Sequence, residues 1–296
     1  MPTPFKRLLM RELADRLPER LLPLLPSGMQ VVGDIAILSI RPELVEHAAA
    51  IGEVVLAHFP FVRTVCRKLG PAVGARKVPQ VEVIAGEPRT ETTHREGGCL
   101  FRLDVAKVIF SKGNIRERQR MARVVREGEV VFDMFAGIGY FTIHMARTRR
   151  PAVIYASDIN PVALHYLAVN VHLNKVRGLV VPVLADCRRL AEALPGMADR
   201  VVMGFLPGTA SYLPAALKAL KPEGGVVHYH DTYHERELWH RPVQVLRAAA
   251  AEAGYRLEAV LYKGVVKSYG PRIYHVVLDA LFTAGQPLKT MSTASR

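Results

Sequence analysis

The sequence predicts an α/β protein: a doubly wound, mostly parallel sheet with an antiparallel C-terminal edge pair, preceded by a smaller α+β domain. From residue 129 onward, apolar runs alternate with helical patterns, which is typical of parallel strands covered by helices on both faces. A Gly-x-Gly turn follows the first of these runs, where a doubly wound sheet binds its ligand. Earlier residues lack this alternation, so we divide the chain into domains 1–105 and 106–296.

The second domain contains five apolar runs that predict parallel strands and four helical patterns between them. The strands are predicted at 130–135, 153–157, 179–184, 200–205 and 225–229, and the helices at 140–146, 161–174, 210–220 and 235–253. Two longer runs, at 256–267 and 273–282, flank a Ser-Tyr-Gly-Pro turn. They predict a long antiparallel pair at one edge of the sheet.

The first domain has a more irregular pattern. A basic helix is predicted over 5–22, where Pro23 and Pro26 follow, and a second helix runs from Pro42 through residue 57. Short β-like runs are found at 31–40, 62–66 and 81–84, and residues 70–74 are expected to form a turn. This mixture indicates a small α+β domain, which we expect to position a large substrate.

The composition limits the class of protein. The chain has 296 residues, enough for two cores, and a net charge of +13, which favours a polyanionic partner, although it can also serve solubility alone. Cys66, Cys99 and Cys187 are far apart, so they suggest neither a disulfide framework nor a metal site. No apolar run reaches the roughly 18–20 residues that cross a membrane, and the first residues do not resemble a signal peptide. We therefore expect a cytoplasmic protein.

Residues 107–126 form the most basic segment, with seven Lys or Arg residues and one acid. Its central part predicts a helix with a modest apolar stripe, on which Arg116, Arg120 and Arg123 occupy the polar side. Two interpretations remain open. The arginines form either a wall that contacts phosphates or an ordinary solvated face.

The turn at Gly137 and Gly139 predicts a nucleoside cofactor site. Glycine accepts unusual backbone angles and removes the side chain that would keep a ligand away. A dinucleotide site would have a third glycine three residues on, but Thr142 stands there and Tyr140 and Phe141 crowd the turn. We therefore expect S-adenosylmethionine, which has no phosphate to bind.

Two acids follow the second and third predicted strands. Asp158 is expected to accept hydrogen bonds from both ribose hydroxyls, and Asp186 to accept one from the adenine amino group. The alternative for each is a helix N-cap. Two acids that end consecutive strands beside a Gly-x-Gly turn favour the cofactor interpretation.

Four segments resemble two related families. These are THRE at 93–96, FSKGNIRER at 110–118, DMFAGIG at 133–139 and NVHLNK at 170–175. They are similar to the tRNA guanine-N1 methyltransferases that modify the base 3′ to the anticodon, and to the wybutosine-synthesising aminocarboxypropyltransferases of archaea and eukaryotes. The resemblance extends from about residue 31 to 282 and implies a class I methyltransferase-like fold.

The two families differ after the fourth strand. The methyltransferases have an Asn-Leu-Pro sequence there, whereas this chain has Gly204 in place of the Asn but keeps Leu206 and Pro207. The segments VHYHD at 227–231, KSYGP at 267–271 and YHVVLD at 274–279 resemble the aminocarboxypropyltransferases. This resemblance implies transfer of the 3-amino-3-carboxypropyl group of S-adenosylmethionine to 4-demethylwyosine in the anticodon arm of tRNA-Phe, with release of methylthioadenosine. The alternatives are a tRNA guanine-N1 methyltransferase and a tRNA-binding protein without activity.

The resemblance also implies which residues contact S-adenosylmethionine. Arg118 can hold a carboxylate through two parallel hydrogen bonds, although a phosphate contact or a surface charge is the alternative. Ser111 is also implied, with a helix N-cap as its alternative. The full predicted set is Ser111, Arg118, Phe135, Gly137, Gly139, Asp158, Asp186 and Cys187.

Three histidines, His228, His230 and His234, cluster near the end of the fifth strand. We expect a hydrogen-bonded structural pair there and no metal, with His230 as the candidate general base. No other catalytic residue is assigned. A monomer is expected, and the low Lys and high Arg content suggests an archaeal source.

Overall fold

The computed structural model describes residues 2–74 and 76–285, which form two compact units, Met1–Ser111 and Lys112–Arg296. The division after Ser111 lies six residues beyond the predicted boundary at residue 105, because residues 106–111 pack with the first unit. No helix among the described residues is long and apolar enough to cross a membrane.

The first unit is built on a four-stranded sheet of order β1-β2-β3-β4, in which only β2 and β3 are parallel. Its helices cover a core that includes Leu9, Leu38, Ile51 and Val65. A separate antiparallel pair, β5 and β6, follows. The elements are α1 (Pro4–Glu12), β1 (Gln30–Val32), β2 (Ile35–Leu38), α2 (Ala48–His58), β3 (Thr64–Val73), β4 (Val78–Gly86), β5 (Glu91–Glu96) and β6 (Cys99–Asp104), with 3-10 helices at Glu19–Leu24 and Pro42–His47.

Three predictions for this unit were wrong in detail. The first helix ends at Glu12 rather than residue 22, and after a turn the chain continues as the 3-10 helix Glu19–Leu24, before which Pro18 disfavours helical backbone at residue 17. The turn expected at 70–74 is an irregular part of β3, and the chain reverses at Gly74 and Lys77, which both have positive φ. The β5–β6 hairpin was missed, although its Gly97-Gly98 connection is a recognisable hairpin signal.

The second unit confirms the predicted fold. Its seven-stranded sheet has the order β12-β13-β11-β10-β7-β8-β9, and only the two C-terminal strands are antiparallel to their neighbours. The order reverses between β7 and β10, which creates the crevice where such sheets bind ligands. The elements are α3 (Ile115–Val124), β7 (Val130–Asp133), α4 (Thr142–Arg149), β8 (Val153–Asp158), α5 (Pro161–Leu173), β9 (Val180–Leu184), α6 (Cys187–Ala193), β10 (Arg200–Met203), α7 (Leu213–Ala219), β11 (Gly224–His234), α8 (His240–Glu252), β12 (Tyr255–Gly270) and β13 (Ile273–Ala284), with 3-10 helices at Lys112–Asn114, Thr209–Tyr212 and Glu235–Glu237.

Two differences from the expected elements concern this sheet. Helix α6 was not predicted, because seven residues are too few for a clear amphipathic pattern. Strand β11 continues to His234 instead of ending at residue 229, since β13 pairs with its whole length. The extension includes His230, which is buried in the sheet, whereas His234 at its end is only half-buried.

Candidate functional site

The turn between β7 and α4 is packed tightly against its own side chains. Gly137 has a φ of +56°, and a Cβ added to it would lie 2.5 Å from Cε2 of Tyr140. Gly139 has a φ of +97°, and its added Cβ would lie 2.7 Å from Cγ1 of Ile143. Both glycines are therefore required by the backbone and by neighbouring side chains. These contacts give a structural reason for the two glycines, and their expected contact with a cofactor stays a prediction.

Asp158 ends β8 and ties that strand to the turn. Its Oδ2 accepts a hydrogen bond of 2.8 Å from the Gly137 amide, and its Oδ1 accepts one of 2.8 Å from the Asn160 amide. Asn160, and not Asp158, is the N-cap of α5. Burial raises the pKa of Asp158, while the backbone donors oppose that shift. A carboxylate can accept more than two hydrogen bonds, so these contacts leave it able to bind hydroxyls.

Asp186 is the N-cap of α6. It accepts a hydrogen bond of 2.9 Å from the Arg188 amide and pairs with the Arg188 guanidinium at 2.5 Å. The hydrogen bond from Arg188 lowers its pKa. The capping alternative therefore describes Asp186 in this structure. The adjoining Cys187 is buried in the hydrophobic core, and that burial raises its thiol pKa to about 12.

Phe135 belongs to an aromatic cluster at the ends of β7 and β10. Its ring stacks on Phe205 with the centroids 5.3 Å apart, and the Tyr212 ring meets it edge-on at 4.9 Å. The Arg188 guanidinium lies 5.2 Å from the Tyr212 ring. Such a cluster can stack a planar base. The sequence did not single out Phe205 and Tyr212, because a predicted strand end and a predicted helix start gave no sign that their rings meet Phe135.

Arg118 is 1 % exposed, which excludes the surface-charge alternative. It lies in the first turn of α3, and its Cζ is 5.9 Å from the centre of the Tyr140 ring. Since Tyr140 packs on Gly137, Arg118 is connected to the turn through one side chain. Ser111, the last residue of the first unit, is not the N-cap of α3, because Asn114 occupies that position.

Asp133 is a buried acid that the site prediction missed. It ends β7, and its Oδ2 accepts a hydrogen bond of 2.7 Å from the Thr142 hydroxyl. Burial raises its pKa to about 6, and the nearby Asp158 adds to that shift. Thr142, which first indicated that the turn does not bind a dinucleotide, thus has a structural partner. An acid as the last residue of an apolar strand is the signal that could have identified it.

The expected pair among His228, His230 and His234 does not form, and His230 instead pairs with His275 of β13. His230 Nδ1 lies 3.0 Å from His275 Nε2, and the His230 ring packs on Phe141 with the centroids 5.4 Å apart. His230 is 0 % exposed, and burial lowers its pKa to about 3. These features argue against the general-base prediction. Among the described residues no cluster of His, Cys, Asp or Glu could hold a metal ion.

His228 belongs to a different network. Its Nε2 accepts a hydrogen bond of 2.6 Å from Arg200, so its Nδ1 carries the proton that it shares with Asp279 at 2.6 Å. Asp279 also receives both Nη atoms of Arg120, at 2.6 and 2.9 Å, and Arg120 binds Glu117 as well. Arg120 is therefore half-buried and held by two acids, which argues against its place in a phosphate-contacting wall.

The exposed arginines gather at the opposite end of the strands. The segments that lead into β7 and β8 enclose a concave surface of about 460 Å³. Among the described residues, none of its four arginines pairs with an acid. The arginines are Arg123, Arg126, Arg149 and Arg150, with Glu127 as the acid in the lining.

Gly204 follows β10 and faces Phe141. A Cβ at this position would lie 3.1 Å from Cε2 of Phe141, whose ring covers His230. A longer side chain at residue 204 would require Phe141 to move. The position that separates the two resembled families is thus coupled by packing to the histidine pair.

Comparison with known proteins finds related sequences for both units of the chain. Residues 92–258 match the TRM5/TYW2 methyltransferase domain, and residues 9–90 match the TYW2 N-terminal domain. The chain is 42 % identical to the tRNA(Phe) (4-demethylwyosine(37)-C(7)) aminocarboxypropyltransferase of Methanocaldococcus jannaschii, over 86 % of this chain and 97 % of that protein.

Two further relatives match almost as broadly. The tRNA (guanine(37)-N(1))-methyltransferase Trm5b of Pyrococcus abyssi is 38 % identical over 91 % of this chain and 78 % of that protein. The crystal structure of M. jannaschii TYW2 in complex with AdoMet superposes with a TM-score of 0.70 and 38 % identity, over 87 % of this chain and all of that chain.

Proposed function

Because this chain belongs to the TRM5/TYW2 methyltransferase family, we propose that it transfers the 3-amino-3-carboxypropyl group of S-adenosylmethionine to 4-demethylwyosine in tRNA-Phe. The single observation that carries this choice is the match of residues 9–90 to the TYW2 N-terminal domain. The identity of 42 % to an aminocarboxypropyltransferase, over 97 % of that enzyme, supports the same conclusion.

The donor would bind in the crevice beyond β7 and β8. Asp158 would accept hydrogen bonds from the ribose hydroxyls, and the turn at Gly137 and Gly139 would contact the methionine end. Phe135 and its aromatic neighbours offer a face for adenine. Asp186 could accept a hydrogen bond from the adenine amino group in one of two ways. It would either use a free lone pair while still capping α6, or release the Arg188 guanidinium and bind the ligand instead.

The reaction is a substitution at carbon. Carbon 7 of the tricyclic base attacks the methionine-side carbon next to the sulfonium, the carbon–sulfur bond breaks, and its electron pair remains on sulfur as neutral methylthioadenosine. The base then loses the proton of carbon 7. Three carbons on the sulfonium are open to attack, so the enzyme selects among them by holding one close and in line. We assign no general base, since His230 is enclosed and its pKa is low.

A second candidate is methyl transfer to N1 of guanine at the same nucleotide. Leu206 and Pro207 favour it, because they match the Leu and Pro of the Asn-Leu-Pro sequence in the methyltransferases. Gly204 opposes it, since the space of a side chain at this position is limited by Phe141.

Product analysis separates the two reactions. The protein is incubated with precursor tRNA-Phe and S-adenosylmethionine labelled either in the methyl group or in the carboxyl group. We expect carboxyl label in the tRNA together with released methylthioadenosine. Methyl label in the tRNA would establish the methyltransferase instead, and an Asp158→Ala variant should incorporate neither.

The tRNA would also be bound through its backbone. We propose that the exposed Arg116 and the arginines of the concave surface contact phosphates, because Arg presents several donors to such groups. Contact with the anticodon arm, a monomeric state and a cytoplasmic location stay predictions.

A further inference from the structure

A buried arginine and a half-buried lysine lie near each other in the second unit. Arg118 is almost fully buried in the first turn of α3. Lys267, from the middle of β12, packs over Gly113, where an added Cβ would lie 2.9 Å from the Lys267 Cδ and 3.5 Å from its Nζ. Burial and the charge of Arg118 both lower the pKa of Lys267.

The N-terminus of α3 adds to this positive environment. Its N-cap, Asn114, makes no side-chain capping hydrogen bond, so that side chain does not occupy the first amides of the helix. A helix N-terminus carries partial positive charge and amide donors. Lys267, this N-terminus and Arg118 therefore converge within one turn, between Gly113 and Arg118. Neither cation lacks protein contacts, so it is their convergence that points to an anion.

The burial of Arg118 restricts the size of that anion. A phosphodiester of folded RNA is flanked by two nucleotides and could not reach a side chain that is 1 % exposed. A carboxylate at the end of a short flexible arm is smaller, and it could approach from the side of Lys267, which is only half-buried, and replace a present contact of Arg118. The arm would come from the cofactor site, because Arg118 packs near Tyr140, Tyr140 packs on Gly137, and Gly137 donates to Asp158.

We propose that Lys267 acts with Arg118 to bind the α-carboxylate of the aminocarboxypropyl group, and that the same pair holds this carboxylate after the group has moved to the tRNA. The inference rests on the proposed function. Transfer takes the carboxylate away from the nucleoside, so methylthioadenosine leaves without it and the modified base keeps the contact. Lys267 is then a determinant of both donor affinity and product affinity.

Calorimetry with two ligands tests the first half. Lys267→Met keeps the chain length and removes the charge, and it should weaken S-adenosylmethionine binding by roughly tenfold or more. Methylthioadenosine has no carboxylate, so its affinity should change less than about twofold. Lys267→Arg should recover much of the loss. Lys263→Met, which removes an exposed lysine from the same strand, is the matched control and should leave both ligands unaffected.

The second half is tested with tRNA. Wild-type protein should bind aminocarboxypropylated tRNA more tightly than its precursor, and Lys267→Met should lose that difference. Equal weakening of both nucleosides by Lys267→Met, or no weakening of either, would overturn the role of Lys267. If methyl transfer were the true reaction, Lys267→Met would still weaken S-adenosylmethionine binding more than methylthioadenosine binding, but wild-type protein would bind the two tRNAs alike. A failure of the proposed function can therefore be distinguished from a failure of the role of Lys267.

Discussion

At the scale of single residues, Asp133 beside the proposed cofactor site is a carboxyl group whose ionised form is destabilised by burial. Its carboxyl is buried at the end of β7, next to Asp158, and burial raises its pKa from 3.8 to about 6. The Thr142 hydroxyl donates a hydrogen bond to only one of the two carboxyl oxygens. The ionised form is therefore less stable in the folded protein than in the unfolded chain.

The pH dependence follows from this shift. Between about pH 4 and pH 6 the unfolded chain loses the Asp133 proton first, so the stability falls as the pH rises. The contribution is about 3 kcal/mol, since one pKa unit is worth roughly 1.4 kcal/mol. We expect Asp133→Asn, which can still accept from Thr142, to gain up to that amount over wild type between pH 4 and pH 7 in urea unfolding.

Asp199→Asn provides a control of opposite sign. Burial acts to raise the pKa of Asp199, but its bonds to Lys221 and the Val130 amide prevail and the pKa is lowered. This variant should lose stability relative to wild type as the pH rises. A flat difference between wild type and Asp133→Asn would contradict the shift at Asp133.

Some site residues could be predicted because their positions depend on local sequence. Asp158 and Gly137 follow from a strand, a turn and the next strand, and the structure joins them by a hydrogen bond. Arg120 could not be placed in the same way, since one of its partners, Asp279, is 159 residues away. The sequence correctly placed Arg120 on the polar side of the helix, but that side packs against other elements instead of facing solvent.

At the scale of elements, a chain of buried charges joins α3 to the centre of the sheet. It runs from Glu117 and Arg120 to Asp279 of β13, then to His228 of β11 and Arg200 of β10. Arg200 completes it with two hydrogen bonds of 2.8 Å to Glu129. Arg120 also lies 4.0 Å from the Tyr262 ring of β12.

Breaking this network should be costly. Asp279→Asn removes the carboxylate that accepts from both Arg120 and His228, and the single amide oxygen cannot replace all of these hydrogen bonds. Removal of one partner of a buried pair costs about 3–5 kcal/mol. We expect a loss of this size in the free energy of unfolding, measured with denaturant at pH 7. Glu258→Gln disrupts the exposed pair of Glu258 and Arg256 and should cost less than about 1 kcal/mol. Equal costs would mean that the network is as weakly coupled as a surface pair.

The lengths of strands were predictable only where their neighbours are local. The parallel strands β7 to β10 are set by apolar runs, and the sequence located all of them. Strand β11 was cut short, because the residues after Tyr229, His-Asp-Thr-Tyr-His, are mostly polar. Their burial depends on pairing with β13, which lies far along the chain.

At the scale of the whole molecule, the net charge of +13 requires an excess of basic side chains on the surface. The concave surface with Arg123, Arg126, Arg149 and Arg150 is the strongest positive feature that the sequence did not reveal. Two helix ends bring it together from separate segments, whereas the sequence shows only the segment before residue 127. Helix C-termini also attract arginines, so the cluster needs a functional test.

Salt dependence of tRNA affinity provides that test. Each phosphate contact adds roughly 0.7–0.9 to the slope of log affinity against log salt concentration. We expect Arg149→Gln to flatten the slope by about this amount, while Arg247→Gln, an exposed arginine on α8, leaves it unchanged. Identical slopes for both variants would show that the cluster only balances the helix ends.

The outer strand β12 has a further consequence. It is 16 residues long and forms one edge of the sheet, with Leu261, Val265 and Tyr269 exposed. A straight strand of this kind would offer a template on which a second chain could extend the sheet. Its pairing with β13 shifts register at four places, so its outward amide and carbonyl groups do not form the regular ladder that another strand could join. These irregularities act as protection against edge-to-edge aggregation, and they allow the protein to keep an apolar edge strand in solution.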